Sequence, residues 1–174
     1  MKSAPFEVWA PNAERVDLVL ESGTYAMKRV ERGYWRTERP SRAGDRYRYT
    51  VDGNGPFPDP RSPWQPDGVH GPSVVVDHST FVWNDEAFVQ QPLPQAILYE
   101  LHVGTFSPEG TYAGAAKRLP QLRALGITHI ELMPIHAFPG QHGWGYDGVA
   151  LYAPHAAYGT PDELKAFVQA AHDH

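Results

Sequence analysis

The spacing of apolar residues changes partway along this chain, and that change limits the folds open to it. In the first part, apolar and polar side chains alternate over short runs, as in Phe6-Glu7-Val8 and Val16-Asp17-Leu18. A period of two is typical of strands buried on one face, and turn residues separate these runs. Residues 74–77 and 81–83 are predicted to complete the set. We therefore predict a small immunoglobulin-like β-sandwich over residues 1–88.

Longer apolar runs replace the alternation in the second part of the chain. Residues 97–103 are almost continuously apolar, and they lie between Pro94 and Gly104. Residues 127–134 form a second run of the same kind. Such runs are typical of strands buried on both faces of a parallel sheet. The second part is therefore predicted to be built from β/α units.

A helix is predicted over residues 112–125, between the two apolar runs. Its apolar side carries Leu119, Leu122 and Leu125. Pro120 lies inside this stretch and predicts a kink or a restarted helix, because proline cannot donate a helical hydrogen bond. The order strand, helix, strand requires a parallel crossover.

The last helix has the clearest signals in the chain. Thr160 is a capping residue, Pro161 suits the first helical position, and Glu163 completes a capping box. Apolar residues then follow at helical spacing and predict a stripe that faces the core, formed by Leu164, Phe167, Val168 and Ala171.

The division between the two parts is predicted in the proline-rich stretch near residues 90–94. Residues 89–174 then hold the first two β/α units of a (β/α)8 barrel, which needs about 250 residues in all. We therefore expect a multi-domain chain whose barrel is truncated, and a sequence that is a piece of a longer protein.

Composition excludes several classes of function. The net charge of −5, with 15 basic residues, gives no basic surface for nucleic acid. No apolar run is long enough to span a membrane, and the start does not resemble a signal peptide, so we expect a cytoplasmic protein. The chain has no cysteine. His172 and His174 would point in different directions on a helix, so neither a metal site nor a cofactor is predicted.

Several motifs resemble those of the alpha-amylase family, and of maltooligosyltrehalose trehalohydrolases in particular. Residues 97–112, with Tyr99-Glu100-Leu101-His102, resemble the first barrel strand and loop of trehalohydrolases. Residues 125–135 are similar to the second-strand region of the whole family. Residues 143–161, with Gly143-Trp144-Gly145-Tyr146-Asp147-Gly148, are similar to a loop and helix entry that trehalohydrolases share with branching and debranching enzymes. Residues 6–13 resemble the sandwich domain that precedes the barrel in those enzymes.

The resemblance implies a substrate and several site residues. The substrate would be maltooligosyltrehalose or a related α-1,4-glucan, cleaved next to its terminal trehalose. Tyr146 matches the tyrosine that stacks on the sugar at the cleaved bond, Asp147 is placed to accept from a sugar hydroxyl, and Trp144 would form a further wall. The family's catalytic carboxylates would lie beyond residue 174, so no catalytic residue is assigned here and the chain alone is expected to be inactive.

Other interpretations remain open at this point. Residues 66–73 look like the trehalohydrolase version, and branching enzymes usually carry Gln where Asp147 stands. The sequence is nevertheless also compatible with a branching or debranching enzyme, or with a simple glucan-binding module. Trp144, Tyr146 and Asp147 could instead brace the loop. Glu100 and His102 are either polar members of the barrel interior or substrate contacts. For the sandwich aromatics we favour core and interdomain packing over a glucan-binding surface; they are Trp9, Tyr34, Trp35, Tyr47 and Tyr49.

Overall fold

Within residues 5–174, which the computed structural model describes (for Pro5 the backbone alone), eight short strands form two antiparallel sheets. Residues 1–4, used in the signal-peptide argument, lie outside this range. The first sheet has the order β1-β5-β4, with β1 Pro5–Trp9, β4 Lys28–Arg29 and β5 Tyr34–Pro40. The second has the order β3-β2-β6-β7, with β8 on β6; its strands are β2 Val16–Leu20, β3 Gly23–Ala26, β6 Arg46–Val51, β7 Asn54–Phe57 and β8 Ser73–Val74. The predicted sandwich is confirmed.

The sandwich core follows the period of two. Side chains from both sheets form one buried cluster that contains Phe6, Val8, Val16, Leu18, Trp35, Tyr47 and Tyr49. Trp9 alternates to the other face of β1 and is 57% exposed, so the packing expected for the sandwich aromatics is wrong for Trp9. Its indole Nε1 donates to the carbonyl of Arg32 at 3.0 Å, which fixes the ring against the edge of the sheet.

Residues 81–83 do not form the strand that the sequence predicts. The Asp77 side chain accepts from the amide of Ser79 and caps a 3-10 turn over His78–Thr80, which directs the chain away from the sandwich. The following segment lies instead against the last helix of the chain. There the ring nitrogen Nδ1 of His172 lies 2.6 Å from the Asp85 carboxylate. The His172 ring stacks on the Phe88 ring, with ring centres 4.0 Å apart.

Two parallel strands, β9 Leu98–Leu101 and β10 His129–Leu132, begin the β/α part. They pair in register from Leu98 with His129 to Leu101 with Leu132. The segment between them contains three short helices, α1 Val103–Phe106, α2 Tyr112–Ala116 and α3 Leu119–Ala124. The restarted helix predicted from Pro120 is therefore confirmed.

Leu125 is not on the buried side of α3, as the sequence pattern predicts, but is 76% exposed. The helix ends at Ala124, and Gly126 follows in the left-handed region with φ of 88°. Leu125 is the C-cap residue: its amide still donates to the Gln121 carbonyl at 3.1 Å, but its side chain lies outside the buried cluster that holds Leu119 and Leu122. Leu119 and Leu122 are buried as predicted.

The prediction that β9 is buried on both faces is wrong. Leu98 is 54% exposed, while Leu101 is 3% exposed. The reason is that, among the described residues, β9 pairs with β10 alone, and the helices cover one face of the pair.

A short hairpin that the sequence analysis missed follows β10. It pairs β11 His136–Ala137 with β12 Ala150–Pro154 in antiparallel register, and residues 138–149 form its loop. Ala137, Ala150 and Ala153 pack with Val69 of the sandwich side in a small buried cluster.

The last helix, α4, spans Pro161–Asp173 and carries the predicted capping box between Thr160 and Glu163. Phe167 is the most deeply buried residue of its apolar stripe, at 3% exposure. A sandwich followed by two β/α units is therefore the observed order, as predicted. The division after residue 88 stays a prediction, because residues 84–88 contact α4 as well as leading out of the sandwich.

None of the helices found within residues 5–174 is both long and apolar enough to cross a membrane. The cytoplasmic location stays a prediction.

Candidate functional site

The predicted site loop, residues 143–148, lies over the carboxyl ends of the two parallel strands. His102 follows β9 directly, and its Nε2 lies 2.9 Å from the carbonyl oxygen of Gly143. Pro134 follows β10, and its carbonyl oxygen would lie 2.5 Å from a Cβ placed on Gly145. The loop therefore contacts both strand ends at once. In parallel β/α folds this edge of the sheet is where substrates bind.

A cavity of about 580 Å³ opens beside the loop. One wall is the segment that follows β9, and the other is the segment that leads into the 143–148 loop. The residues that line it are His102, Gly104, Thr105, Pro108, Glu109, Gly110, Gln141, His142, Gly143, Trp144, Ala157 and Tyr158. Its walls combine aromatic rings with neutral polar groups, and Glu109 is ion-paired with Lys117 at 2.7 Å.

The structure separates the three predicted sugar-binding residues. Trp144 lines the cavity, is 59% exposed, and has its ring centre 4.9 Å from that of His102. Tyr146 is 75% exposed and is not among the residues that line the cavity. Asp147 is exposed as well and also lies outside the cavity lining. Their role in sugar binding stays a prediction.

The glycines of the loop allow close approach of neighbouring groups, for two different reasons. Gly145 adopts φ of 82°, in the left-handed region that side chains disfavour. Gly148 has no such φ, but a Cβ there would overlap the ring of His136. A larger residue at Gly145 would displace the loop, because the obstacle is the Pro134 backbone, whereas at Gly148 the His136 ring would have to shift.

His155 is the residue after β12, and its amide donates to the Ile135 carbonyl at 2.7 Å. Its ring is 4% exposed and stacks on Phe138 with ring centres 3.7 Å apart. Burial lowers the pKa of His155, against the opposing effects of the Gln141 backbone and the Asp147 carboxylate. The imidazole is therefore held neutral next to a loop that carries a negative charge.

This burial predicts a loss of stability in acid. Below a pH of about 6.5 the unfolded chain binds a proton at His155 that the folded chain binds only at lower pH. The free energy of unfolding is therefore expected to fall as pH decreases from about 6.5 toward the lowered pKa. Urea unfolding at pH 7.5 and 5.5 measures this, and His155→Phe should reduce the difference. Asp147→Asn should increase the difference between the two pH values, because the carboxylate favours the protonated ring. If neither variant changes this difference, the acid sensitivity does not come from His155.

Within residues 5–174, no three His, Asp or Glu side chains are grouped so that they could hold a metal ion. His172, considered in the sequence as a ligand candidate, contacts Asp85 and Phe88 instead.

Sequence reasoning left one part of the site undecided and missed another. The sequence left open whether His102 is a polar residue of the barrel interior or a substrate contact. In the structure it lines the cavity and is 9% exposed, and both of its ring nitrogens lie near polar partners. Tyr158 was part of a motif but received no role, and its hydroxyl lies 2.8 Å from His102 Nε2. The signal that could have found His102 is its place directly after a buried strand. Tyr158 is 56 residues away along the chain, and no local pattern connects the two.

Comparison with protein families divides the chain in two. Residues 2–67 match carbohydrate-binding module 48, described as the isoamylase N-terminal domain. Residues 61–174 match the alpha-amylase catalytic domain.

Curated relatives agree with this division. The chain is 47% identical over 167 residues to malto-oligosyltrehalose trehalohydrolase from Deinococcus radiodurans, covering 96% of this chain and 28% of that protein. It is 46% identical over 172 residues to the enzyme of the same name from Arthrobacter ramosus, covering 96% and 30%. A 1,4-alpha-glucan branching enzyme from Pseudoalteromonas atlantica is 32% identical over 192 residues, with 96% and 26% covered. The chain thus spans less than a third of the length of these relatives.

Solved structures show the same architecture. A Salmonella typhimurium protein described as an alpha amylase superposes with a TM-score of 0.92 at 42% identity, covering 97% of this chain and 29% of that one. A pullulanase from Anoxybacillus, solved with maltotriose, superposes with a TM-score of 0.83 at 26% identity, covering 97% and 31%. With the sandwich, the parallel strands and these matches in agreement, the chain belongs to the alpha-amylase family, with a module 48 sandwich ahead of the start of the catalytic domain.

Proposed function

We propose that this chain supplies part of the glucan-binding face of a longer enzyme that cleaves maltooligosyltrehalose. The reaction would hydrolyse the α-1,4-glucosidic bond next to the terminal trehalose and release trehalose. The observation that carries the proposal is the cavity of about 580 Å³ at the carboxyl ends of β9 and β10, with Trp144 in its wall. The trehalohydrolases that are 46–47% identical to the chain support the choice of reaction.

The lining of the cavity suits a neutral sugar. Its volume falls in the range of about 300–1,000 Å³ that is usual for small-molecule sites. Trp144 offers an aromatic face for the apolar side of a pyranose ring. Thr105 and Gln141 offer hydrogen-bonding groups without net charge. An α-glucan has the same combination of apolar ring faces and hydroxyl groups.

The catalytic step needs groups that this cavity does not provide. Retaining hydrolysis requires two carboxyl groups about 5–5.5 Å apart, one of them protonated. Among the described residues that line the cavity, Glu109 is the one carboxylate, and the hydrogen bond from Lys117 lowers its pKa. Glu109 is therefore held ionised and is a poor proton donor. We propose that the catalytic pair comes from another part of the longer protein.

The reaction is tested on the whole protein that the source gene encodes. Incubated with maltooligosyltrehalose, it should release trehalose, measured by chromatography. The similarity to a branching enzyme makes a branching transferase the second candidate, and new α-1,6 branch points in amylose would identify it. Asp147, where the family resemblance leads us to expect Gln in branching enzymes, favours the hydrolase. If a folded, full-length protein gives neither trehalose nor new branch points, the proposal is refuted.

The chain itself should bind maltoheptaose, with Tyr146 as a second aromatic contact on the same loop as Trp144 but outside the cavity lining. Tyr146→Ala is expected to weaken binding about tenfold, equivalent to ~1.4 kcal/mol, because a stacked aromatic face is lost. Titration calorimetry measures the dissociation constant. The matched control is Tyr152→Ala on β12, which removes a tyrosine of similar exposure (62% against 75%) at a position outside the 143–148 loop. Equal losses in the two variants would mean that the sugar is not bound at Tyr146.

A further inference from the structure

A buried hydrogen-bond network lies beneath the 143–148 loop. Its centre is His102, with Nδ1 3.1 Å from Thr105 Oγ1 and Nε2 2.9 Å from the carbonyl oxygen of Gly143. The Tyr158 hydroxyl lies 2.8 Å from the same Nε2 and donates to the Gly143 carbonyl at 3.3 Å. His102 and Tyr158 are 9% and 3% exposed, so their contacts with Gly143 are largely buried, whereas Thr105 is exposed at the rim of the cavity.

The neighbours of the His102 ring indicate which of its nitrogens carries a hydrogen. The ring nitrogen Nε2 of His102 faces both the Gly143 carbonyl and the Tyr158 hydroxyl, so its role depends on the tautomer. We assign a hydrogen to Nε2, because a backbone carbonyl can only accept. The hydroxyl of Tyr158 then donates to the same carbonyl, which has two lone pairs and can accept both bonds. His102 and Tyr158 thus both donate to the Gly143 carbonyl.

Packing holds the network rigid. The rings of His102 and Tyr158 meet edge to face with centres 5.7 Å apart. A Cβ on Gly104 would lie 2.9 Å from both rings, so the Gly104 backbone packs directly against them. The Tyr158 carbonyl accepts from the amide of Tyr112 at 2.9 Å, which anchors the tyrosine to α2. The loop is therefore tied to a fixed point rather than to a mobile side chain.

We propose that His102, Tyr158 and Thr105 are positioning residues that hold the 143–148 loop in its sugar-binding geometry. This inference rests on the proposed function for its ligand, an α-glucan, but the positioning of the loop can be tested without any ligand. The three residues act through the Gly143 carbonyl: they fix the backbone from which Trp144 and Tyr146 project.

The first test is amide hydrogen exchange of residues 143–149 in the sugar-free chain, where the amide of Val149 donates to the Ala137 carbonyl at 2.9 Å. Tyr158→Phe removes one donor to Gly143 and should speed exchange in the loop about fivefold, as expected for one lost hydrogen bond. Tyr112→Phe is the matched control, because the Tyr112 hydroxyl is buried with no hydrogen-bond partner among the described residues. It makes the same chemical change in the same core and should leave loop exchange unchanged.

The second test uses His102 itself. His102→Leu removes both ring nitrogens and should speed loop exchange about tenfold, whereas His102→Gln keeps an N–H donor at this place and should stay within about twofold. Thr105→Val, at the exposed rim, provides a variant that is expected to fold normally and to give an intermediate effect. In ¹⁵N spectra of the unsubstituted chain, the Nε2 resonance of His102 should show a bound hydrogen.

The outcomes separate this inference from the proposed function. Unchanged loop exchange in Tyr158→Phe, His102→Leu and Thr105→Val would overturn the positioning role. If Tyr146→Ala weakens maltoheptaose binding but Tyr158→Phe does not, the proposed function stands and the positioning role falls. If the loop responds as predicted but no variant of the chain, nor the chain itself, binds maltoheptaose, the positioning role stands and the glucan assignment falls.

Discussion

Gly145→Ala is expected to displace the 143–148 loop and to weaken maltoheptaose binding by at least about tenfold. The residue adopts φ of 82°, where an alanine costs about 1–2 kcal/mol. Its Cβ would also lie 2.5 Å from the carbonyl oxygen of Pro134, a backbone atom at the end of β10 that cannot rotate away. Calorimetric titration and the chemical shifts of the loop amides would measure the loss of binding and the displacement.

Gly140→Ala is the matched control for this prediction. Gly140 has a similar φ of 87°, but nothing lies within 4 Å of a Cβ placed there. It carries the strain of the left-handed region without the clash, so it should reduce stability by about 1 kcal/mol and leave maltoheptaose binding within about twofold. If both variants lose binding equally, the strain of the loop rather than its contact with Pro134 controls the site.

Local periodicity was sufficient to predict most of the sandwich and the last helix. The alternation in β1 and β2 matches the buried faces of Phe6 and Leu18, and the capping box at Thr160 marks the start of α4. These elements depend on interactions within a few residues or on one buried face. Each is visible in a short window of sequence, which is why the prediction succeeded there.

The failures occur where distant parts of the chain decide the structure. Residues 81–83 have strand-like side chains, but the 3-10 turn at His78–Thr80 directs them toward α4, which begins about 80 residues later. The β11–β12 hairpin joins strands of two and five residues across a long loop, so neither strand gives a periodic signal. Leu125 has the helical spacing and a helical hydrogen bond to Gln121, but its side chain faces solvent and does not reach the buried cluster.

The candidate site was predicted in position but not in its internal connections. The motif placed Trp144, Tyr146 and Asp147 on one loop, and the structure shows that loop over the ends of β9 and β10. The hydrogen bonds that hold the loop come from His102 and Tyr158, which lie 41 and 15 residues from Gly143 along the chain. Such contacts form only when the fold is complete. The residues predicted to bind sugar and the residues that hydrogen-bond to their loop therefore carry different kinds of sequence signal.

Leu18→Ala is expected to lower the free energy of unfolding by about 3 kcal/mol. Leu18 is 0% exposed at the centre of β2, paired with Tyr25 on one side and Tyr49 on the other. Removing its side chain loses the transfer free energy of the apolar atoms and leaves a cavity that a paired central strand cannot close. Urea unfolding followed by tryptophan fluorescence measures the change, since Trp35 belongs to the same core cluster.

Leu125→Ala makes the same substitution at a residue that is 76% exposed, and it should change the free energy of unfolding by less than about 0.5 kcal/mol. The sequence pattern alone assigns Leu125 to a buried helix face and would predict a loss comparable to that of Leu18. The pair of variants therefore tests whether Leu125 belongs to the buried side of α3 together with Leu119 and Leu122. A loss of about 2 kcal/mol or more in Leu125→Ala would show that this leucine is buried in solution.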